Sequence, residues 1–399
     1  MKRVVITGLG FLSSLGADAS TTWARMLEGG CGIGPLRKLQ MPGEPAQIAA
    51  EVDVPRNATK ARRSNACDQM ALVALEEALA QSHPDLDSGD PRRRGVFQGA
   101  STSGIPIAEA YLLDRMAGRL GHPTDPIYQN TCNVTDVLGE RLHAMGPRST
   151  IMNACSSSLL AIGQAWEQVA SGDLDLAVAG GVEALCRTTF AGFSCLKAMD
   201  AKPCRPFSKD RAGLNLGEGS AHLILESLDS AKSRGAPILA EVMGYGAAMD
   251  AHHPTAPHPE GEGAARAMDM ALRVSGLYAE EIDLVSAHAT ATPANDGAET
   301  LAIKKALGEA ARRVSVTASK SQFGHTLGAA GAVGAIVAVF CLRHQIVSPT
   351  LRLVEPDPIC DLDYTALIAR ERLIRAALVN AFAFGGNNVC LALRRWEGR

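Results

Sequence analysis

The chain has 399 residues, of which 46 % are hydrophobic, 20 % charged and 4 % aromatic, and its formal net charge is −3. The balanced charge and scarce aromatics argue against nucleic acid or an anionic membrane as the main partner, and the length calls for two domains or one large duplicated one. Ten scattered cysteines, with no Cys-x-x-Cys pair and no secretory signal before Val4, argue against structural zinc and point to a reducing cytoplasm.

Val4 to Leu9 reads as a buried first strand, and Ser20 or Thr21 as the cap of a helix through Trp23 and Met26. Gln69 to Leu79 places Met70, Leu72, Val73, Leu75 and Leu79 at helical spacing. Pro91-Arg92-Arg93-Arg94 reads as a solvated turn. Gly95 to Ala100 is the next buried strand, ending in the small-residue loop Ser101–Gly104. Helices are expected near 106–118 and 134–143. The run Ser149–Met152 then stops at the corner Asn153-Ala154-Cys155-Ser156, beyond which Leu159, Leu160, Ile162, Trp166 and Val169 lay out a long helix. Leu174 to Gly181 reads as a strand entering a Gly turn, and Ala221 to Leu225 as another strand.

A second half starts near residue 235. Helix 262–275 precedes the strand Ile282–Ala287, which ends at His288, and helix 296–307 follows. Val314 to Ala318 leads to Lys320 and His325. The apolar run Leu327–Leu342 is too short and too rich in Gly and Ala for a good membrane span and reads as a buried helix. Leu378 to Asn388 is a strand into a Gly turn, and Val389 to Leu393 the last strand. The halves, 1–235 and 236–399, rhyme: each has a strand-loop-helix unit of small residues (149–170 and 314–342) and a strand into a Gly-Gly pair (174–181 and 378–386). Strands alternating with helices predict a duplicated α/β fold with parallel sheets.

Cys155 sits where a helix begins. Free N–H groups and the helix dipole there favour a thiolate, and Ser156 to Ser158 offer capping oxygens. Taken alone, the residue is equally a small buried cysteine or an activated nucleophile. Ligands in open α/β sheets collect beyond the carboxyl ends of strands, where Cys155, His288, Lys320 with His325, and the turn 384–388 all fall. A histidine before a helix N-terminus stays neutral and donates to a developing anion. The glycines after Phe384, with the Cys155 N–H, offer an oxyanion hole. His252, His253 and His258 fall in a Pro-rich segment that reads as a surface or lid loop rather than a metal site.

These motifs resemble the β-ketoacyl-[acyl-carrier-protein] synthases of the Cys-His-His type, members of the thiolase superfamily. The resemblance runs from Val4–Gly10 through Ala154–Ser157, Arg205-Pro206-Phe207, Gly217-Glu218-Gly219, His288–Pro293 and Lys320–Gly331 to Phe384–Asn388. It implies a thiolase fold, α/β, with duplicated halves in a five-layer α-β-α-β-α core, usually dimeric. It implies that Cys155 accepts an acyl group from an acyl carrier protein. His288 and His325 would stabilise the enolate formed from malonyl-carrier protein, and Lys320 would organise them. Phe384 would gate the site and, with the Cys155 amide, form the oxyanion hole. Thr290 and Thr292 would hold the phosphopantetheine arm, which arrives on the carrier protein, and no resident metal or redox cofactor is implied. Ser103, in the small loop 101–104, would line the acyl pocket and leave room for a long or rigid chain. Lys60, Arg62 and Arg63 are candidates for the carrier-docking patch. The partner is expected to be a second copy or a chain-length-factor homologue. The chain departs from the family pattern at Gly334, where Glu is usual and pairs with the lysine at 320; Glu299 is a candidate substitute. It also has Ala289 and Ala383 where Gly is usual, and Ala212 where Asp is usual. These departures favour a specialised polyketide or polyene pathway over primary fatty-acid synthesis. The alternative reading is a non-catalytic chain-length-setting subunit.

Overall fold

The computed structural model describes residues 1–54 and 65–398; Lys60, Arg62 and Arg63 lie outside the described residues. The main strands are β1 (Val4–Leu12), β2 (Arg94–Gly99), β3 (Arg148–Ile151), β4 (Leu176–Glu183) and β5 (Gly219–Ser227), then β6 (Ala240–Met249), β7 (Ile282–Ser286), β8 (Ser315–Thr317), β9 (Ala376–Ala383) and β10 (Asn387–Arg394). The helices are α1 (Ala19–Leu27), α2 (Ala66–Ser82), α3 (Ile105–Met116), α4 (Asn133–Arg141), α5 (Ser157–Ser171), α6 (Arg187–Cys195), α7 (Leu228–Ser233), α8 (Glu262–Ser275), α9 (Pro293–Leu307) and α10 (Ala330–His344).

The strands order as β8-β7-β9-β10-β6-β1-β5-β4-β2-β3. Read outward from the centre, the two sides match. β2 pairs parallel with β3 and β4, as β7 does with β8 and β9; β5 and β10 are antiparallel to both neighbours. The sheets are therefore mixed, not parallel throughout as expected, because β5 and β10 return without a helical crossover. The sides meet only where Val4–Ile6 pairs with Ala240–Val242. α5 and α10 pack between the two sides, α2 and α4 cover one outer face, and α8 and α9 the other. This is the five-layer α-β-α-β-α arrangement of the thiolase fold.

Small residues set the spacing of the layers. A Cβ on Gly331 of α10 would stand 2.6 Å from the Leu159 Cβ and 2.7 Å from its N, so the central helices cross backbone to backbone. Ser158 Oγ accepts from the Ala332 N–H at 2.9 Å across that crossing. Nearly every residue of the apolar run 327–342 is buried inside the protein, which accounts for its composition without a membrane. The Gly180-Gly181 pair lies within β4 and not in a turn as expected. A Cβ on Gly181 would meet Ala329 Cα at 2.9 Å, so the glycines admit the neighbouring layer.

Local signals were met unevenly. Asp18, not Ser20 or Thr21, caps α1, accepting from the Thr21 N–H at 2.7 Å. α5 has no side-chain cap: Ser156 Oγ donates to the Asn153 carbonyl, and Ser157 Oγ accepts from the Asn153 N–H. In the basic run 92–94, Arg92 pairs with Asp90 and Arg93 with Asp175 at the surface, but Arg94 is buried and donates to the Leu86 and Leu142 carbonyls.

Candidate active site

Cys155 is the middle residue of a 3-10 turn, Ala154–Ser156, that joins β3 to α5. Ala154 carries the corner at φ +47°, a left-handed conformation that costs a non-glycine residue about 1–2 kcal/mol and throws the next side chain across the end of the sheet. There His325 Nε2 lies 3.0 Å from Cys155 Sγ. The Leu327 N–H donates to His325 Nδ1 at 3.2 Å, so the ring proton sits on Nε2 and points at the sulfur.

His288 follows β7 and stands with its ring 5.4 Å from that of His325, at 82°. Lys320 Nζ lies 3.4 Å from His288 Nδ1 and also donates to the His288 carbonyl. An ammonium can only donate, so the His288 proton is likewise on Nε2. Burial, with the Lys320 charge beside them, holds both imidazoles well below their ordinary pKa. Each is thus a neutral N–H donor. Burial also lowers the Lys320 pKa, opposed by the charge of Glu299.

Glu299 is a candidate substitute for the acid lost at 334, and its geometry shows a different job. Its carboxylate accepts the backbone N–H groups of His288 and Ala289, each at 2.7 Å, and the Asn380 amide at 3.1 Å. It influences Lys320 through space, and among the described residues Lys320 forms no ion pair. Ala289, where the family usually has Gly, is held at φ +42° by that bond. At Gly334 a Cβ would stand 3.3 Å from both Ser286 Oγ and Val379 Cγ1, so a glutamate there needs both neighbours to give way.

Burial pushes the Cys155 thiol up to about 12, against the Lys320 charge and the N–H groups of Phe384 and of Cys155 itself. This overturns the expected resting thiolate: the turn amides favour the anion, but desolvation outweighs them. Those same two amides face the sulfur, beside the place where the carbonyl oxygen of an acyl group carried on it would lie. The Phe384 ring stacks on Phe193 of α6, centroids 5.6 Å apart and 21° between planes.

A cleft of about 230 Å³ opens onto this group and is lined by Cys155, His288, His325, Thr290, Thr292 and Phe384 among others. Thr290 and Thr292 share a hydrogen bond of 2.9 Å between their hydroxyls. Residues 250–257 contribute Asp250, Thr255 and Pro257 to its wall. They are tied to the turn after Phe384: Gly385 N–H donates to the Pro254 carbonyl at 2.7 Å, and the Asn388 amide to Asp250 Oδ1 at 2.9 Å. The His-rich segment is therefore part of the cleft wall, held to the turn after Phe384, and among the described residues no group of three metal-ligating side chains forms. Ser103 does not line this cleft. It is buried in the loop on the far side of Cys155, its hydroxyl on the Thr131 carbonyl at 3.4 Å.

Phe193 and Glu183 were not foreseen. α6 lies in a stretch with little helical periodicity, and only the fold brings Phe193 onto Phe384. Glu183, at the end of β4, is fully buried and accepts from Ser101, Thr102 and Gly328. The signal was a lone acid ending a strand as apolar as β4.

Comparison with known proteins agrees with this geometry. Residues 1–231 match the family described as "Beta-ketoacyl synthase, N-terminal domain", and residues 239–354 match "Beta-ketoacyl synthase, C-terminal domain". A "3-oxoacyl-[acyl-carrier-protein] synthase 2" of Staphylococcus aureus (strain COL) is 37 % identical over 410 residues, covering 99 % of each chain. Among solved structures, "The ishigamide ketosynthase/chain length factor" superposes with a TM-score of 0.93 at 34 % identity, covering 99 % of each chain. A type II polyketide ketosynthase solved with its acyl-carrier protein, "AntDE:AntF", superposes at 0.92 with 30 % identity, covering 99 % of this chain and 100 % of that one. With both halves matched and 37 % identity over the full chain, the chain belongs to the β-ketoacyl synthase family.

Proposed function

We propose that the chain is a 3-oxoacyl-[acyl-carrier-protein] synthase, an acyltransferase that condenses an acyl group on Cys155 with malonyl-carrier protein. The observation that carries this reading is the cluster at Cys155: the His325 Nε2–H 3.0 Å from its sulfur, the His288 ring packed against that of His325, and two backbone amides facing the sulfur. The Cys155 sulfur attacks the acyl thioester and the carrier thiol leaves with the proton. The phosphopantetheine arm of malonyl-carrier protein then lies along Thr290 and Thr292, past Phe384, which gates the cleft with Phe193. As the bond to the carboxylate breaks, its electron pair passes into the thioester, and His288 and His325 donate to the enolate oxygen while carbon dioxide departs. The enolate carbon attacks the acyl carbonyl on Cys155. The new oxyanion faces the N–H groups of Cys155 and Phe384, and its collapse releases the cysteine sulfur. Lys320 keeps His288 in the donating tautomer. Every group in this sequence belongs to the chain or to the substrates, with no resident cofactor.

We assign the enzyme to specialised polyketide or polyene synthesis in the cytoplasm. The departures at 289 and 334 support this, as do the small loop carrying Ser103 and the likeness to polyketide ketosynthases. We further propose that 1–235 and 236–399 act as two thiolase-like halves, one supplying the nucleophile and the other both histidines; the two family matches support that division. The chain is assigned a dimer, with a second copy or a chain-length-factor homologue. β3 is an edge strand of the sheet, and Leu112, Met116, Leu120 and Ile127 are exposed apolar residues. The reading of the chain as a non-catalytic chain-length subunit has one supporting observation, Gly334 in place of an acid, which leaves Lys320 without an ion pair among the described residues, and is opposed by the presence of Cys155 and both histidines. Intact mass spectrometry with a panel of acyl-carrier proteins tests the assignment. Acyl adducts on Cys155 that disappear when malonyl-carrier protein is added are the expected result; no adduct from any carrier would refute it.

A further inference from the structure

We propose that Glu183 is a positioning residue that holds the acyl-side loop 101–104 and the His325 turn in one register, so that the acyl chain selected and the orientation of His325 depend on the same carboxylate. The inference rests on the ketosynthase reading and adds to it a residue that touches no reacting atom.

The carboxylate is completely buried, and all its partners donate to it. Oε1 accepts from the Thr102 N–H at 2.7 Å and from the Thr102 hydroxyl. Oε2 is shared: the Ser101 N–H reaches it at 3.0 Å from one side and the Gly328 N–H at 2.9 Å from the other. Room for the shared oxygen exists because residue 328 is glycine. A Cβ there would stand 2.8 Å from Oε2 and 2.7 Å from the Ala100 carbonyl carbon.

From this oxygen two short paths lead to the chemistry. The residue before Gly328 is Leu327, whose N–H fixes the His325 tautomer, and His325 Nε2 meets Cys155 Sγ. On the other path, the loop braced by Glu183 carries Ser101, whose hydroxyl lies 3.5 Å from the Ala154 carbonyl beside the nucleophile. The loop continues through Ser103 to Gly104, where a Cβ would overlap the Gln129 backbone. The His288 side of the site repeats the device, with Glu299 accepting the N–H groups of His288 and Ala289. The two carboxylates brace corresponding loops, and Glu183 alone bridges from one half to the other.

The test is Glu183→Gln. The Gln amide must present a donor to one of these N–H groups, so one arm opens. Condensation with acyl- and malonyl-carrier proteins is expected to fall at least tenfold. Alkylation of Cys155 by iodoacetamide at pH 8 is expected to rise a few-fold, because the Glu183 charge opposes the thiolate. Loss of fold would also expose Cys155, so an unchanged thermal melt, with the buried Cys67, Cys341 and Cys390 still unalkylated, separates positioning from unfolding. Condensation within twofold of wild type overturns the inference, as does a parallel fall of both rates. If Glu183→Gln does not fold, Thr102→Val loses one donor on the loop side only. It is expected to shift the acyl-length profile of Cys155 loading across C2 to C12 carriers, and an unchanged profile overturns the inference. A wild type that loads no acyl group at all refutes the ketosynthase reading instead.

Discussion

In the N-terminal half, β3 leads to a left-handed Ala154 (φ +47°), a 3-10 turn Ala154–Ser156 and the 15-residue helix α5. In the C-terminal half, β8 leads through the segment bearing Lys320 and His325 to a left-handed Leu327 (φ +43°), a 3-10 turn Leu327–Ala329 and the 15-residue helix α10. Counted from the strained residue, Cys155 corresponds to Gly328. The same turn presents a sulfur in one half and a bare backbone in the other, where the Glu183 carboxylate sits against the N–H. The working group of the second half, His325, has moved ahead of the turn and reaches across to the sulfur. The two halves thus show the same backbone geometry twice, and the side chains differ: a thiol at the turn in one copy, a bare N–H at the turn and an imidazole ahead of it in the other.

The contrast breaks most sharply with Cys155→Ala. Acyl loading should vanish and condensation should drop by about 10⁴-fold or more, while release of carbon dioxide from malonyl-carrier protein continues, because both imidazoles remain. Loss of decarboxylation as well would show that the sulfur is part of the anion site. Intact mass and carbon dioxide release measure the two arms. Removing the other half's groups should give the mirror result. His288→Ala or His325→Ala should cut decarboxylation by about 10²–10³-fold and leave Cys155 able to take an acyl group. Since both histidines titrate well below their usual value, wild-type decarboxylation should not fall as pH drops through 6.5.

A smaller effect tests the resting nucleophile. With its thiol pushed up to about 12, Cys155 should be alkylated about tenfold faster for each pH unit between 7 and 10, the slope of a rising thiolate fraction. A plateau near pH 8 would mean that the turn amides and Lys320 win over burial. The smallest effect concerns strain on the histidine side. Ala289→Gly removes a left-handed alanine and should stabilise the fold by up to about 1 kcal/mol, the relief of about 1–2 kcal/mol less the entropy of an added glycine. Thermal melts report it, and a lower melting temperature would show that the Glu299 bonds to residues 288 and 289 need the alanine.

Much of the site was legible. Cys155, His288 and His325 each follow an apolar strand and sit among small residues, and strand ends are where α/β folds expose chemistry. The buried helix α10 could be read from composition, and helix 262–275 from its apolar spacing. The Gly180-Gly181 pair misled, because a glycine that admits a neighbouring layer reads like one that makes a turn. Asp18 was passed over in favour of two adjacent hydroxyls, since capping depends on which residue first leaves the helical backbone. Phe193 and the bracing role of Glu299 had no local signal, and Glu183 showed only as a lone acid ending an apolar strand. Glu183 acts across 81 positions on Thr102, and Glu299 reaches His288 and Ala289 over 11 and 10 positions only because the loop folds back onto its helix.

The sequence by itself pointed to Cys155 and the two histidines as the candidate site, and gave the duplicated alternation of strands and helices and the family, because these follow from residue type and local spacing. The tertiary structure decided the protonation of the site. A helix start argues for a thiolate, and burial reverses it. The proton on each Nε2 depends on what meets the opposite nitrogen, a Leu327 amide for one ring and the Lys320 ammonium for the other. Those partners are fixed by packing between layers, and solvent exclusion there makes each contact count for more than the local sequence can show.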